Sequence, residues 1–352
     1  MRAGRICITP KVSGVGGMVS FRRRLVAQLT QRGVQVGDDL SDGDFDALLV
    51  VGGTRQLPGL WRLRRQGVRI VQRLDGMNWL HRRVRTGLRH ALRAEYGNWL
   101  LNSIRTRLAD GIVYQSQFAR EWWERVYGAA SASARVIHNG VDLSVFTPHG
   151  AGEPPRDAWR ILMVEGSLMG GYELGLETAF GLVQAIADRK NAAHSRLVSR
   201  EVELMVVGRV APQIQRRYEG RWSGRTGLHI NWAGLQPAER IPEIDRSAHL
   251  LFSADLNAAC PNSVIEALGC GLPVLSFATG ALPELVTGKA GRVVPYGGDP
   301  WRLEPPDVPA LADAALEILG DQPQFRGAAR LQAETAFDLD RVVDSYLAAL
   351  LG

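Results

Sequence analysis

A chain of 352 residues with 45% hydrophobic and 22% charged residues has an ordinary globular balance and enough length for two domains with separate cores. No apolar run approaches the ~18 residues of a membrane span, and Cys7, Cys260 and Cys270 lack paired metal spacing, so a transmembrane anchor, disulfides and zinc are not expected. The net charge of +6 hides a split: 23 basic residues face 11 acidic ones through residue 150, and 19 face 25 beyond it. A basic first half suits a polyanion or an anionic membrane, or reflects a general bias toward arginine.

The start, "MRAGRICITP", lacks an apolar leader segment and a small-residue cleavage site, which predicts a cytoplasmic chain. "RICITP" predicts a first strand, "SGVGG" a glycine loop, and "MVSFRRRLVAQLTQRG" a helix that Gly33 ends. "VQVG" and "DALLVVGG" predict buried strands, the stretch near "GLWRLRRQG" a short helix, and "RIVQRL" another strand. A long polar-amphipathic segment over 79–107 follows, then the strand "GIVYQS", the helix "SQFAREWWERVYG", and "ARVIHNGVD", a strand running into a turn.

"DLSVFTPHGAGEPPRDAW", rich in Pro, Gly and acidic residues, is the expected linker. Beyond it the alternation starts afresh. "RILMVEG", "VELMVVG", "LHINWAG", "HLLFSAD", "PVLSF" and "GRVVP" predict strands. "ELGLETAFGLVQAIADR", "AERIPEIDRSA" and "NSVIEALG" predict helices, with a short turn of helix at "ALPELV". Alternating strands and helices imply parallel, doubly wound sheets, two of them in series, whose ligands bind at the carboxyl ends of the strands.

Several residues stand out before any family is considered. In "CPNSVIEALG" the expected N-cap is Asn262 or Ser263, which leaves the N–H groups of Asn262, Ser263 and Val264 open to an anion. Glu266 lies about one turn in, where it holds two vicinal hydroxyls or closes a capping box. Gly14, Gly16 and Gly17 let the main chain approach a ligand, or simply make a tight turn. Asp75 ends a predicted strand and is placed to orient a hydroxyl, to act as a base, or to cap the next segment; His81 is a weaker candidate. "DLD" at 338–340 has a metal-site look, but reads as the acidic start of a helix, so no metal is expected.

In "HRRVRTGLRHALR", Arg82, Arg85, Arg89 and Arg93 are spaced as one helical stripe beside Val84, Leu88 and Leu92. Such a helix rests on an anionic membrane surface, or packs its Val/Leu stripe on the domain core. No aromatic-basic interleaving points to nucleic acid.

Five segments together resemble the retaining GT-B glycosyltransferases, family 4. They are "GGM" after the first strand, "VIHNGVDLSVFTP", "CPNSVIEALGCGLPVLSFATGALPELV", "GRVVP", and "FDLDRVVDSYLAAL" near the end. The resemblance implies an α/β GT-B fold: two Rossmann-like doubly wound domains facing across a cleft. The acceptor-side domain would span 1–148 plus a C-terminal helix at about 338–352 crossing back to it, and the donor domain 149–337. It also implies metal-independent transfer of a sugar from a nucleotide-diphosphate donor, a co-substrate and not a cofactor. The acceptor would be a saccharide or lipid-linked molecule of surface polysaccharide synthesis, at the inner membrane face or in the cytoplasm. Glu266 then matches the glutamate that holds the ribose, the backbone of 262–264 the diphosphate site, and the first-domain glycines and Asp75 the acceptor side.

The chain departs from the pattern at three places. Ala258 stands where the family has a second glutamate, eight residues before Glu266; Asp255 and Asn257 lie in the same loop as candidate substitutes. Ser167 replaces an arginine that binds the leaving diphosphate, and glycines stand near the position of its partner lysine. Replacements would be backbone N–H groups at Gly170 and Gly171, or Arg209 at the end of the next strand, which reads equally as a solvated loop residue. These departures keep two rivals open: a non-catalytic homologue that binds nucleotide or saccharide as an assembly partner, and a nucleotide-sugar epimerase.

Overall fold

The computed structural model describes residues 4–14, 16–42, 44–85, 87–168, 173–192, 200–222, 225 and 227–352. The chain forms two compact units, residues 1–140 with 339–352, and residues 141–338. Among the described residues no helix is long and apolar enough to cross a membrane.

The first unit contains β1 (Arg5–Thr9), α1 (Gly17–Gln31), β2 (Gln35–Gly37), β3 (Ala47–Val51), α2 (Leu57–Arg65), β4 (Arg69–Leu74), α3 (Leu88–Arg107), β5 (Gly111–Tyr114), α4 (Gln117–Tyr127) and β6 (Ser133–Val136). Its strands are parallel, in the order β2-β1-β3-β4-β5-β6. "ALLVV" on β3 is buried at every position, as a central strand covered on both faces must be. Winding reverses between β1 and β3, and the glycine loop after β1 emerges at that switch point. The terminal helix, Leu339–Leu351, belongs to this unit. Its Leu339, Val342, Val343, Tyr346 and Leu350 join Ile8, Phe21, Leu49 and Val113 in one core.

The segment before α3 corrects the expected arginine stripe. Gly87, at φ 85°, starts the helix, so Arg82 and Arg85 lie outside it and only Arg89 and Arg93 share its surface. Arg82 sits in a single 3-10 turn, Leu80–Arg82, and forks onto Glu95 at 2.6 and 2.9 Å. His81 Nε2 meets the same carboxylate at 2.8 Å. The apolar stripe is corrected too: Val84 precedes the helix, and Leu88 and Leu92 are 77% and 63% exposed, not packed on the core.

The second unit contains β7 (Ala158–Ser167), α5 (Glu173–Ala192), β8 (Glu201–Arg209), α6 (Pro212–Trp222), β9 (Leu228–Gly234), α7 (Ile241–Arg246), β10 (Leu250–Ser253), α8 (Asn262–Gly269), β11 (Val274–Phe277), α9 (Leu282–Leu285), β12 (Gly291–Val294), α10 (Val308–Gly320) and α11 (Gln322–Ala336). The terminal helix of the first unit is then α12. The strands are again parallel, in the order β12-β11-β10-β7-β8-β9. Read from β9 this is the dinucleotide-fold order 3-2-1-4-5-6, with its switch point between β7 and β10. Three helices here go beyond the sequence expectation. In α6 the buried residues are Tyr218 and Trp222, a stripe too narrow to signal a helix among its polar residues. In α10, capped by the Asp307 carboxylate that accepts from Ala310 N at 3.0 Å, apolar residues run almost all round, and α11 follows directly.

Candidate functional site

At the switch point of the second unit the chain leaves β10 through "ADLNAACP" and enters α8. The N-cap of α8 is Pro261, at φ −69° and ψ 124°, and no side chain caps the helix. This corrects the expected Asn262 or Ser263 cap, because helical conformation begins at Asn262 itself. Asn262, Ser263 and Val264 therefore form the first turn, whose N–H groups have no acceptor within the helix. The shift also removes the capping-box reading of Glu266, which now stands at the fifth helical position, too far in to reach back to the cap. Glu266 is half-buried on a helix whose Val264, Ile265, Ala267 and Leu268 are buried. Asp245 on α7 is 1% exposed, with the Cys270 thiol and Glu266 near its carboxyl. Burial, and then the charge of Glu266, raise the Asp245 carboxyl well above its usual value.

A second pair of carboxyls, one of which sequence reasoning missed, flanks the switch point. Glu165 lies near the end of β7, within an irregularity between Val164 and Ser167. The β7–β10 register pairs Ile161 with Leu250 and Leu162 with Leu251, which brings Asp255 within one residue of the level of Glu165. Both are half-buried, and neither side chain makes an ion pair or hydrogen bond with another described residue. Desolvation raises both carboxyls, and the negative charge of Asp255 raises Glu165 further. Their titrations are linked, and the pair keeps a proton to higher pH than two separate carboxylates would. The signal for Glu165 was a lone acid closing the apolar run "ILMVEG" at a strand's carboxyl end.

Asn257 completes this loop in the left-handed region, φ 58°, 4% exposed and with its side-chain Nδ2 unpartnered. The loop is braced from behind by Gly280, at φ 59°: a Cβ there would lie 2.5 Å from the Ala258 carbonyl oxygen. Ala281 N donates to that same oxygen at 2.8 Å. Ala258 is itself 8% exposed. Ala254 and Leu256 line an apolar cavity of about 240 Å³ with Phe252, Phe277 and Tyr296, and Asp255 alternates between them.

Arg209 ends β8 in register with Ser167 on β7, and Leu168 N donates to its carbonyl at 2.9 Å. It is exposed, and its guanidinium has no partner among the described residues. A cation thus stands one strand over from the serine, at the same level. Gly170 and Gly171 lie outside the described residues.

In the first unit Gly16 is the N-cap of α1 at φ 138°, and Gly17 is its first residue. Gly14 takes φ 97°, and a Cβ at Gly14 or Gly16 meets nothing within 4 Å, so backbone conformation and not crowding requires glycine there. Asp75 follows β4 and is half-buried; desolvation raises its carboxyl, against the lowering effect of Arg73. Its carbonyl accepts from Trp123 Nε1 at 2.7 Å. Arg73, also missed in the sequence, is 1% exposed, lies 3.7 Å over the Phe21 ring and donates to Asn139 Oδ1 at 2.7 Å. Asp340 of the "DLD" run accepts from Arg32 at 2.9 Å. Asp75 and the glycine loop lie in one unit and Glu266, Arg209, Glu165 and Asp255 in the other.

Comparison with known proteins bears on what these sites are for. A profile described as Glycosyltransferase Family 4 matches residues 38–145, and one described as Glycosyl transferases group 1 matches residues 182–321. The GDP-mannose-dependent alpha-(1-6)-phosphatidylinositol dimannoside mannosyltransferase of Mycobacterium tuberculosis is 28% identical over 68% of this chain and 57% of its own length. The chain thus spans a little over half the length of that curated relative. Among solved structures, sucrose-phosphate synthase from Thermosynechococcus elongatus superposes with a TM-score of 0.69 at 18% identity, over 98% of this chain and 97% of that one. Anabaena HepE, solved in complex with UDP and glucose, gives 0.65 at 14% identity, with 98% of each chain covered. These two likenesses carry the fold. With one family profile on each unit and the two six-stranded parallel sheets between them, the chain belongs to the family 4 glycosyltransferases and has the GT-B fold.

Proposed function

We propose that the chain transfers a sugar from a nucleotide-diphosphate donor to a hydroxyl of a saccharide or lipid-linked acceptor, with retention and without a metal, in surface polysaccharide synthesis. One observation carries the reading: the first turn of α8, with no side-chain cap, and Glu266 stand together at the switch point of a dinucleotide-fold sheet. The N–H groups of 262–264 would hold the diphosphate, Glu266 the ribose hydroxyls, and Arg209 the charge that develops on the leaving group. Gly170 and Gly171 would add backbone donors to the same oxygens. Asp255, Glu165 and Asn257 would take over the sugar contacts that Ala258 cannot make. A carboxyl that keeps its proton beside one that is ionised both donates and accepts, which matches the two-way needs of sugar hydroxyls.

In the step itself the bond from the anomeric carbon to the diphosphate oxygen breaks. The acceptor oxygen bonds the same carbon on the same face, and its proton passes to the departing diphosphate. Asp75 would orient that acceptor hydroxyl. That the curated relative is named for GDP-mannose and a phosphatidylinositol dimannoside supports a mannosyl or related hexosyl donor and a lipid-linked acceptor. HepE in complex with UDP and glucose supports a nucleotide sugar. No nucleic acid or cofactor is part of the reading.

Ala258 and Ser167 favour the non-catalytic alternative, and one assay separates the readings. Purified chain with UDP-glucose or GDP-mannose, with and without a panel of glycoside and glycolipid acceptors, should release UDP or GDP only when an acceptor is present. The product linkage should keep the donor's anomeric configuration. Altered sugar nucleotide without acceptor would point to the epimerase, and binding without any turnover to the assembly partner.

A further inference from the structure

We propose that the cavity beside the 254–257 loop is a binding site for an apolar amine, a ring or short chain that carries an ammonium group. Phe252, Phe277 and Tyr296 line it from the carboxyl ends of β10 to β12, Leu174 from α5, and Leu303 and Pro305 from the loop before α10. At about 240 Å³ it exceeds the roughly 150 Å³ apolar cavity that takes up benzene, so it has room for about ten non-hydrogen atoms. The loop on its rim is fixed in advance. Trp301 N donates to Asp299 Oδ1 at 2.8 Å, Glu304 N to the Asp299 carbonyl at 3.2 Å, and Tyr296 Oη to the Glu304 carbonyl at 2.7 Å. Leu303 nonetheless takes φ 58°, in the left-handed region that costs a leucine more than a glycine or an asparagine. Among the described residues the one other non-glycine with positive φ is Asn257, which follows Leu256 of the same lining. A leucine held at that cost on the rim of an apolar cavity is explained by the wall that its side chain supplies.

The charge in the lining names the class of ligand. Its two charged residues, Glu177 and Glu304, are both acids. Arg221 pairs with Glu177 at 2.8 Å and the Tyr218 hydroxyl donates to it at 2.6 Å, so that carboxylate is already matched. Glu304 accepts from Asp299 N at 2.8 Å, and no cation pairs with it among the described residues. The first turn of α5 also meets the cavity, but Glu173 within it offsets the attraction that its N–H groups would have for an anion. A carboxylate on the rim of an apolar cavity favours an ammonium group and repels a fatty acid, a phosphate ester or a nucleotide. A neutral molecule of the same shape would gain only the burial of its ring. Ala254 and Leu256 belong to the wall, and Asp255 and Asn257 alternate with them, so an occupant bears directly on the segment that carries Asp255.

The site lies wholly in the second unit and does not depend on which sugar is transferred. The test is calorimetric titration of the intact chain with phenylbutylamine, phenylbutanol and phenylbutyrate, which share a ring and chain and differ in charge. The amine should bind saturably, the alcohol about fivefold more weakly, and the carboxylate not measurably. Glu304→Gln, whose amide oxygen still accepts from Asp299 N, should bring the amine down to the level of the alcohol. Leu303→Gly should weaken amine and alcohol alike, about tenfold. Its melting temperature should stay near the parent's, because relief of the left-handed strain offsets the burial lost. Hydrogen exchange should slow at 254–257 and 299–306 when the amine is bound. Three results would overturn the proposal. One is no saturable binding of the amine to the folded chain; another is alcohol or carboxylate binding as tightly as the amine. The third is amine binding that both substitutions leave unchanged, which would put the ligand elsewhere.

Discussion

At the scale of single residues, Glu266 bears most directly on function, because the position of Pro261 removes the capping-box reading of its carboxylate. A carboxylate taking two ribose hydroxyls makes charge-assisted hydrogen bonds worth about 1.5–3 kcal/mol each, so Glu266→Ala should weaken nucleotide binding by roughly two to four orders of magnitude. Thermal stability should barely change. Titration calorimetry with parallel melting curves checks both.

Glu165 gives a second residue-scale prediction, in stability against pH. Its folded carboxyl is raised to about 8 while an unfolded glutamate titrates near 4. A native state that holds a proton the unfolded chain releases loses stability as pH rises. The loss begins above the unfolded value and is complete near the folded one. Asp255 and Asp245, both raised, add to the same slope. Denaturant melts between pH 6.5 and 8 should therefore show falling stability, and Glu165→Gln should flatten part of that fall; below pH 6.5 His249, whose ring burial holds neutral down to about 3, acts in the opposite sense. A profile that Glu165→Gln leaves unchanged over this range would contradict the raised carboxyl pair.

At the scale of elements, the loop before α8 depends on the turn after β11. Gly280→Ala would force a Cβ into the Ala258 backbone at a positive φ, costing about 2–4 kcal/mol. The expected result is a lower melting temperature together with weaker binding of sugar nucleotides, since Asn257 and Ala258 must move. A variant that binds normally would mean this loop does not carry sugar contacts. The strands were legible because parallel strands buried on both faces read as unbroken apolar runs, as in "ALLVV" and "LLFS". Helix starts were less so. The Asn-Ser pair attracted the cap that Pro261 takes, and the arginine spacing ran helical phase through Gly87, where the chain breaks. Glu266 was found from its surrounding signature. Glu165 was not, because only the β7–β10 register brings it to the level of Asp255.

At the scale of the whole molecule, the last helix completes a core that begins at the other end of the chain. The five large buried side chains of α12, at about 1.5–3 kcal/mol each, amount to roughly the entire stability of an ordinary domain. A chain ending at Phe337 should therefore lose the cooperative unfolding of its first unit while β7 to α11 keep theirs. Calorimetric scanning would read this as one missing transition; two intact transitions would mean α12 is dispensable.

The central claim, that the switch point of the second unit receives a nucleotide diphosphate, is tested most directly by calorimetric titration. The intact chain and Glu266→Ala would each be titrated with UDP, GDP, ADP and TDP. Saturable binding of one of these to the parent, weakened at least severalfold by the substitution, is the predicted result and names the base. Binding of none of them to a folded chain would contradict the claim, as would binding that ignores the loss of Glu266.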